Sequence, residues 1–155
     1  TDPLDGLLFF DNIDRLKASG LELELQRRWD QGWEVRLSSV YQKSKLPKVS
    51  GPVANSPRNL SKLNVFAPLV GKRLAAGLEM LYTGDRHTVA GTDVGGYLTV
   101  NLTLLSRELV PGLEISATLS NLLDKRYADP ASEEHVQDAI LQDGRTGRLK
   151  LSWKF

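Results

Sequence analysis

The two histidines offer this chain its widest choice of chemistry, since an imidazole can bind a metal ion or transfer a proton. His87 lies in the segment GDRHTVAG, and His135 follows two glutamates in SEEHVQD. Glu133, Glu134 and His135 could be metal ligands, but consecutive residues rarely converge on one ion, so a solvated turn or short helix explains them better. Cysteine is absent, which excludes thiolate metal sites and thiol catalysis. We therefore predict neither a bound metal ion nor a cofactor.

Other chemical motifs are equally weak. The segment GTDVGG is rich in glycine but lacks the lysine and the strand-to-helix context of a phosphate-binding loop, so a flexible hairpin loop is the better interpretation. The serines lie outside any motif for nucleophilic catalysis. The formal net charge is +1, so no basic field recruits nucleic acid. The sequence predicts a protein that is not an enzyme and does not bind nucleic acid.

Three basic side chains could attract a ligand without reacting with it. Arg86, His87 and Arg126 all fall in long connecting segments near one end of the predicted strands. A group of positive charges at such a place would draw in an anionic ligand. We predict these residues as ligand-attracting loop residues, and the sequence names no ligand.

The elements that must position these residues are β-strands. Apolar and polar residues alternate with a period of two along the chain, and the helical period of 3.6 fits none of the long segments. We count eight strands: a short first one around Leu7 to Asp11, then strands near residues 21–26, 33–42, 62–67, 74–83, 97–104, 113–120 and 147–155. The fold class is all-β, with antiparallel up-and-down strands. One continuous face should carry Leu23, Leu37, Leu78, Val100, Ile115 and Leu151.

The connections between these strands alternate in length. WDQG, PLVGK and SRELVPG are short, whereas SKLPKVSGPVANSPRN, GDRHTVAGTDVGG and DKRYADPASEEHVQDAILQDG are long. Short turns at one end and long loops at the other are typical of an outer-membrane barrel. The sequence therefore predicts a segment of a transmembrane β-barrel.

Aromatic residues mark both ends of the predicted strands. The tryptophans lie at the short-turn ends and the tyrosines near the long-loop ends: Trp29, Trp33, Trp153, and Tyr41, Tyr82, Tyr97, Tyr127. From Trp33 to Tyr41 the strand extends about 26 Å at ~3.3 Å per residue. A tilt of ~40° reduces this to a height of roughly 20 Å, close to the ~25 Å apolar band of such barrels. Tyr97 has the inward parity, so a packing or loop role fits it equally well.

Charged residues fall on the face opposite the leucines. They would line a water-filled or plug-filled lumen, where opposite charges on adjacent strands can pair. These residues are Glu22, Glu24, Glu34, Arg36, Lys62, Glu79, Glu114, Arg148 and Lys150. We predict a structural role for them.

The last predicted strand, GRLKLSWKF, ends on an aromatic residue. Leu149, Leu151, Trp153 and Phe155 share one of its faces. This pattern resembles the outer-membrane β-signal, which the barrel assembly machinery reads. We predict these four residues as the assembly signal. The alternative is that Phe155 only closes an ordinary antiparallel edge strand.

Four stretches resemble the TonB-dependent outer-membrane receptors: GLELELQRRWDQGWEVRLSSVYQKS, NSPRNLSKLNVFAPL, NLLDKRYADP and QDGRTGRLKLSWKF. The resemblance covers nearly the whole chain, and NLLDKRY followed by a final strand ending in phenylalanine is its most specific part. It implies a barrel of about 22 strands plugged by an amino-terminal domain. Residues 1–155 would then be the carboxyl-terminal segment of the barrel, without the plug. Gly147 departs from the pattern, because the family usually has a bulky residue there.

The resemblance also implies a function, which is active uptake of a scarce ligand such as a ferric siderophore, haem, cobalamin or a glycan. The location would be the outer membrane of a Gram-negative bacterium. The implied partners are outer-membrane lipid, the barrel assembly machinery, and the remaining strands and plug of the full-length receptor, with TonB reached only through the missing plug.

Two other readings of the residues stay open at this point. A soluble β-barrel or sandwich could carry a small apolar ligand, which requires inward-facing leucines and short loops at both ends. A fragment cut from its barrel could also close on itself, or pair its apolar face with another copy.

Overall fold

The computed structural model describes residues 16–46, 53–71, 73–107 and 110–155. Seven long strands form one sheet, and two pairs of short strands lie in the loops. In chain order the strands are β1 (Lys17–Arg28), β2 (Glu34–Lys45), β3 (Asn59–Val70), β4 (Leu74–Thr83), β5 (Arg86–His87), β6 (Asp93–Val94), β7 (Tyr97–Arg107), β8 (Leu113–Ser120), β9 (Ala128–Pro130), β10 (Ala139–Leu141) and β11 (Thr146–Trp153). Over the described ranges the chain contains no helix with the length and apolar character that crossing a membrane requires.

The long strands follow one another in the sheet as they do in the sequence. The order is β1-β2-β3-β4-β7-β8-β11, and every neighbouring pair is antiparallel. This confirms the all-β, up-and-down prediction for seven of the eight strands. The predicted first strand, around Leu7 to Asp11, lies outside the described residues.

The strand register gives the sheet one apolar face. Leu37 lies opposite Leu63 on the next strand, and Leu63 lies opposite Met80. The same register places all six residues of the predicted continuous face on this side, which we call the leucine face. Many of its side chains are exposed to solvent: Leu21 is 73% exposed and Leu151 is 63% exposed. The opposite side, the polar face, carries the predicted charged residues.

A conventional core is missing from the part of the chain that the structure describes. The buried apolar residues there are Ala67, Val100 and Ala131, and no large side chain is fully buried. A water-soluble domain of this length ordinarily hides its large apolar side chains and does not expose an extended apolar patch. The leucine face therefore requires apolar surroundings outside the sheet. This disfavours the soluble carrier, whose leucines would have to point inward.

The short connection between β1 and β2 is a tight turn, as predicted. Between β1 and β2 the Gly32 amide donates to the Trp29 carbonyl at 2.9 Å, and Gly32 has a φ of 88°. Glycine is favoured there because it adopts positive φ without a steric penalty. The two long loops that follow β4 and β8 each contain a pair of short strands. In particular, β6 lies within GTDVGG and pairs with β5, so this segment forms one side of a short hairpin, as predicted.

The last strand is slightly shorter than predicted. The ladder between β11 and β8 ends at Trp153. One further hydrogen bond, from the Lys154 amide to the Gly112 carbonyl at 2.9 Å, continues the contact with the preceding turn. Phe155 lies beyond it and is fully exposed.

Candidate functional site

One buried arginine joins the three long loops at the end of the sheet. Arg86, on β5, is only 7% exposed. Its Nη1 donates to Asn55 Oδ1 at 3.2 Å, and its Nη2 forms an ion pair with the Asp129 carboxylate. Asn55 belongs to the loop between β2 and β3, and Asp129 to the loop between β8 and β11. A single guanidinium therefore ties together three segments that are distant in the sequence.

Two tyrosines complete this contact. The rings of Tyr97 and Tyr127 pack with their centroids 4.0 Å apart, and Tyr97 Oη donates to Asp129 Oδ1 at 3.1 Å. The Arg86 guanidinium lies 5.6 Å from the Tyr97 ring centroid, within range of a cation–π interaction. Burial, and then the neighbouring Tyr97, raise the pKa of Tyr127, so its phenol stays neutral at physiological pH. We call Asn55, Arg86, Tyr97, Tyr127 and Asp129 the Arg86 junction.

The tyrosines thus divide into two groups. Tyr97 and Tyr127 pack within the junction. This corrects the assignment of Tyr127 to an aromatic belt, and it gives Tyr97 the packing role that its inward parity allowed. Tyr41 and Tyr82 lie exposed on the leucine face near the long loops, where the belt was predicted. At the opposite end, the three tryptophans are also exposed.

A second set of contacts fixes the tip of the β5–β6 hairpin. The hydroxyl groups of Thr88 and Thr92 lie 3.0 Å apart, and Thr92 Oγ1 donates to the Asp138 carboxylate in the loop before β10. The hydrogen bond from Thr92, followed by that from Thr88, holds the pKa of Asp138 below its ordinary value. Asp138 therefore stays ionised at neutral pH and links the hairpin to the last loop.

The segment NLLDKRY closes the loop between β8 and β11. Asn121 has a φ of 50°, and its side-chain Oδ1 accepts the Lys125 amide at 2.9 Å. Its Nδ2 donates to the carbonyl oxygens of Lys125 and Asp143. Asp124 Oδ1 accepts the Arg145 amide at 2.8 Å, immediately before β11 begins. Asparagine and aspartate suit these positions because their short side chains bond to nearby backbone and tolerate positive φ.

The structure does not gather the three predicted ligand-attracting residues into one open cationic group. Arg86 is buried against Asp129. His87 Nδ1 lies 2.6 Å from the Asp93 carboxylate, on the neighbouring strand of the hairpin. Arg126 is exposed. Their attraction of an anionic ligand stays a prediction.

The other candidates for chemistry lie in the last long loop. Glu133, Glu134 and His135 are exposed, in a turn that is closed by the hydrogen bond from the His135 amide to the Ser132 carbonyl at 3.1 Å. No three potential metal ligands converge within the described ranges.

The residues of the predicted assembly signal lie on an edge of the sheet. Leu149, Leu151 and Trp153 all belong to the leucine face of β11, and all three are exposed. Phe155 follows them two residues beyond the strand. Recognition of these side chains by the assembly machinery stays a prediction.

The polar face shows the predicted pairing of opposite charges. Lys62 Nζ lies 2.8 Å from Glu79 Oε2, and Asn101 Nδ2 donates to Glu79 Oε1 at 2.9 Å. Near the short turns, Arg28 Nη2 lies 2.6 Å from Glu34 Oε2. These cross-strand contacts give the sheet a hydrophilic wall behind its leucine face.

An exposed apolar face, a hydrophilic opposite face, aromatic residues at both ends and loops sorted by length define a segment of a transmembrane β-barrel. The sequence model of the TonB-dependent receptor-like β-barrel matches residues 1–122. The chain belongs to this family, whose barrels lie in the outer membrane of Gram-negative bacteria. Its members are receptors and transporters.

Solved structures of such receptors share the fold. The siderophore receptor PiuA from Acinetobacter baumannii matches with a TM-score of 0.76 and 21% identity, over 90% of this chain and 22% of that one. The ferric yersiniabactin uptake receptor FyuA from Yersinia pestis matches with a TM-score of 0.78 and 21% identity, over 90% and 24%. The copper transporter OprC matches with a TM-score of 0.72 and 16% identity, over 90% and 24%. This chain therefore spans less than a quarter of their length. Comparison with curated protein sequences gives no match.

Proposed function

We propose that this chain forms part of the barrel of an outer-membrane receptor that takes up a scarce ligand, in a process powered from the inner membrane through TonB. The observation that carries the proposal is the exposed leucine face of a sheet that belongs to the TonB-dependent receptor family. Residues 1–155 would be the carboxyl-terminal segment of that barrel. The remaining strands and the plug would come from the rest of the full-length receptor.

Within this receptor the two faces have different tasks. The leucine face contacts outer-membrane lipid, because burial of apolar surface outside the sheet is the favourable arrangement for it. The polar face lines the lumen, where pairs such as Lys62 and Glu79 contact water or the plug. The Arg86 junction holds the long loops at the outer mouth. TonB would act through the plug and not on these strands.

The ligand we favour is a ferric siderophore. Support comes from PiuA and FyuA, whose folds this segment shares and which are described as siderophore and ferric yersiniabactin receptors. OprC has the same fold in this region and is a copper transporter. Ligand choice in such receptors depends on loops and plug residues outside this segment. Haem and cobalamin are therefore tested as further candidates.

The test is ligand uptake by cells that produce or lack the full-length receptor. We expect cells with the receptor to accumulate radioactive iron from ferric siderophores under iron limitation, and a protonophore to abolish the accumulation. Copper, haem and cobalamin serve as parallel substrates. Equal accumulation of all of these ligands in cells with and without the receptor would contradict the proposed function.

A further inference from the structure

The short strand β10, in the last long loop, pairs with β9 on one side only. Leu141 lies opposite Ala128 in this ladder, and the next residue, Gln142, donates its amide to the Tyr127 carbonyl at 2.9 Å. Backbone groups in an antiparallel ladder alternate between the two sides of a strand. The amide and carbonyl groups of Leu141 and Ala139 therefore point away from β9, and within the described ranges they form no other backbone hydrogen bond.

This free edge of β10 carries exposed apolar side chains. Leu141 is 80% exposed, and Ile140 is also exposed. Val136, in the turn before β10, is fully exposed. A strand edge with unpaired backbone groups and apolar side chains is a template for pairing with a further strand. The edge of β10 is therefore suited to accept a partner strand.

The other side of the β9–β10 pair is already covered by the preceding long loop. There, β6 contacts β9, and Arg86 on β5 forms its ion pair with Asp129 on β9. The loop strands thus follow the order of the sheet that carries them, since β9 continues from β8 and β10 leads into β11. Because β11 is the outermost strand of the sheet, the free edges of β10 and β11 face the same direction.

We propose that β10 pairs with an extended segment of the first outer loop of the full-length receptor. In the proposed barrel the free edge of β11 pairs with the first barrel strand, which runs antiparallel to β11 and reaches the outer rim beside β10. The outer loop that follows this strand therefore starts next to the free edge of β10. This chain spans less than a quarter of the matched receptors, and the segment belongs to the remainder of the receptor.

The contact is an added strand, in which main-chain hydrogen bonds supply the affinity and alternate side chains supply the specificity. The segment bonds to the amide and carbonyl groups of Ala139 and Leu141, and one of its apolar side chains covers Leu141. The inference rests on the proposed place of this chain at the carboxyl-terminal end of the barrel. It concerns the loops beyond the membrane and not the closure of the barrel itself.

Disulfide cross-linking in the full-length receptor tests this pairing. This chain has no cysteine, and any cysteine elsewhere in the receptor is first replaced by serine. Ile140→Cys is then combined with single cysteines placed in turn along the start of the first outer loop. Opposite the new strand, Ile140 occupies a position without hydrogen bonds, where Cα atoms approach to about 4.5 Å and a disulfide can form.

We expect one position of the loop to cross-link at least roughly tenfold faster than its immediate neighbours, whose side chains point to the other face of the strand. The matched control is Val136→Cys, which is exposed in the same loop but lies outside β10. It should cross-link slowly and select no position.

Hydrogen exchange of the unchanged receptor, read at single residues, is the second measurement. The Gln142 amide is the internal reference, because its hydrogen bond to Tyr127 is present in this chain alone. We expect the Ala139 and Leu141 amides to exchange within about tenfold of this reference and far more slowly than free amides.

Three results would overturn the inference: equal cross-linking along the whole loop, equal cross-linking from Val136→Cys, or exchange of the Ala139 and Leu141 amides at the rate of free amides. Disulfide-linked pairs of receptors in place of an internal bond would also overturn it, since they assign the edge to a second copy. A receptor that cross-links as expected but imports none of the tested ligands would leave this inference standing and remove the proposed function.

Discussion

Replacing Arg86 tests whether the outer loops depend on one side chain. In the variant Arg86→Gln the Asp129 carboxylate loses its cation, and Asn55 loses its charged hydrogen-bond donor. Removing one partner of a buried ion pair typically costs about 3–5 kcal/mol. The Asp129 side chain is 35% exposed, so water compensates part of that loss, and we expect about 2–3 kcal/mol. This loss of stability should affect the loops and not the sheet, because the strands are held by their own backbone hydrogen bonds.

Hydrogen exchange of the full-length receptor in detergent micelles measures this effect directly. The Asn55 amide donates to the His87 carbonyl at 2.8 Å, and the Ala131 amide donates to the Asp138 carbonyl at 3.0 Å. Both bonds join or brace loops that Arg86 holds together. A loss of about 2–3 kcal/mol corresponds to exchange roughly 30- to 150-fold faster at these amides.

The control for this experiment is Arg126→Gln, which removes the same charge from an exposed position in the last loop. It should leave exchange at Asn55 and Ala131 unchanged. The reasoning fails if Arg86→Gln leaves the loop amides as protected as before, or if Arg126→Gln exposes them equally. If Arg86→Gln weakens ligand binding without any change in exchange, Arg86 acts on the ligand and not on the loops.

Three further predictions concern the end of the chain, the packing of the sheet and pH. Phe155→Ala should lower the amount of full-length receptor assembled in the membrane at low expression, and by more than the loss of ~1.5–3 kcal/mol of burial energy would explain. Lys154→Ala, the control, should leave this amount nearly unchanged. Equal surface levels of the two variants would show that Phe155 is not part of an assembly signal. Gly20→Ala should destabilise the barrel by about 1–3 kcal/mol in urea unfolding, because the added Cβ meets the backbone of β2. Gly77→Ala, whose Cβ meets nothing within 4 Å, is its control, and the reasoning fails if both variants unfold at the same urea concentration. The lowered pKa of Asp138 contributes stability that is present above its unfolded pKa and is lost as the pH falls below about 4. Acid should therefore speed hydrogen exchange of the amides in the last loop more in the unchanged receptor than in Asp138→Asn. The exchange rates are corrected for the intrinsic effect of pH.

Alternation was sufficient to predict the sheet from the sequence. Because side chains on a strand have a period of two, a residue such as Leu37 or Leu78 fixes the face of its whole strand. Turn residues then give the order of the strands, and chain order gives the neighbours. The exact end of β11 at Trp153 did not follow, since Phe155 continues the alternation after the pairing has stopped.

The Arg86 junction could not be predicted in the same way. Asn55 and Asp129 lie 31 and 43 positions from Arg86, and loops carry no periodic signal that would relate them. Only the inward parity of Tyr97 pointed towards this cluster, as a packing role for that residue. The sequence therefore indicated that Arg86 lies near the outer mouth, but not that the protein's own carboxylate engages it.

The long strands have the same order in the sheet as in the sequence, and this affects how the barrel can fold. Each long strand pairs with the preceding long strand, so every pairing step closes only a loop of at most about 25 residues. The entropy lost on closing a loop grows slowly with its length, and local pairings form fastest. The sheet can therefore grow as a succession of hairpins, each templated by the edge of the one before it. In the proposed closed barrel, the slowest pairing should be the final seam, because its two strands lie farthest apart along the chain.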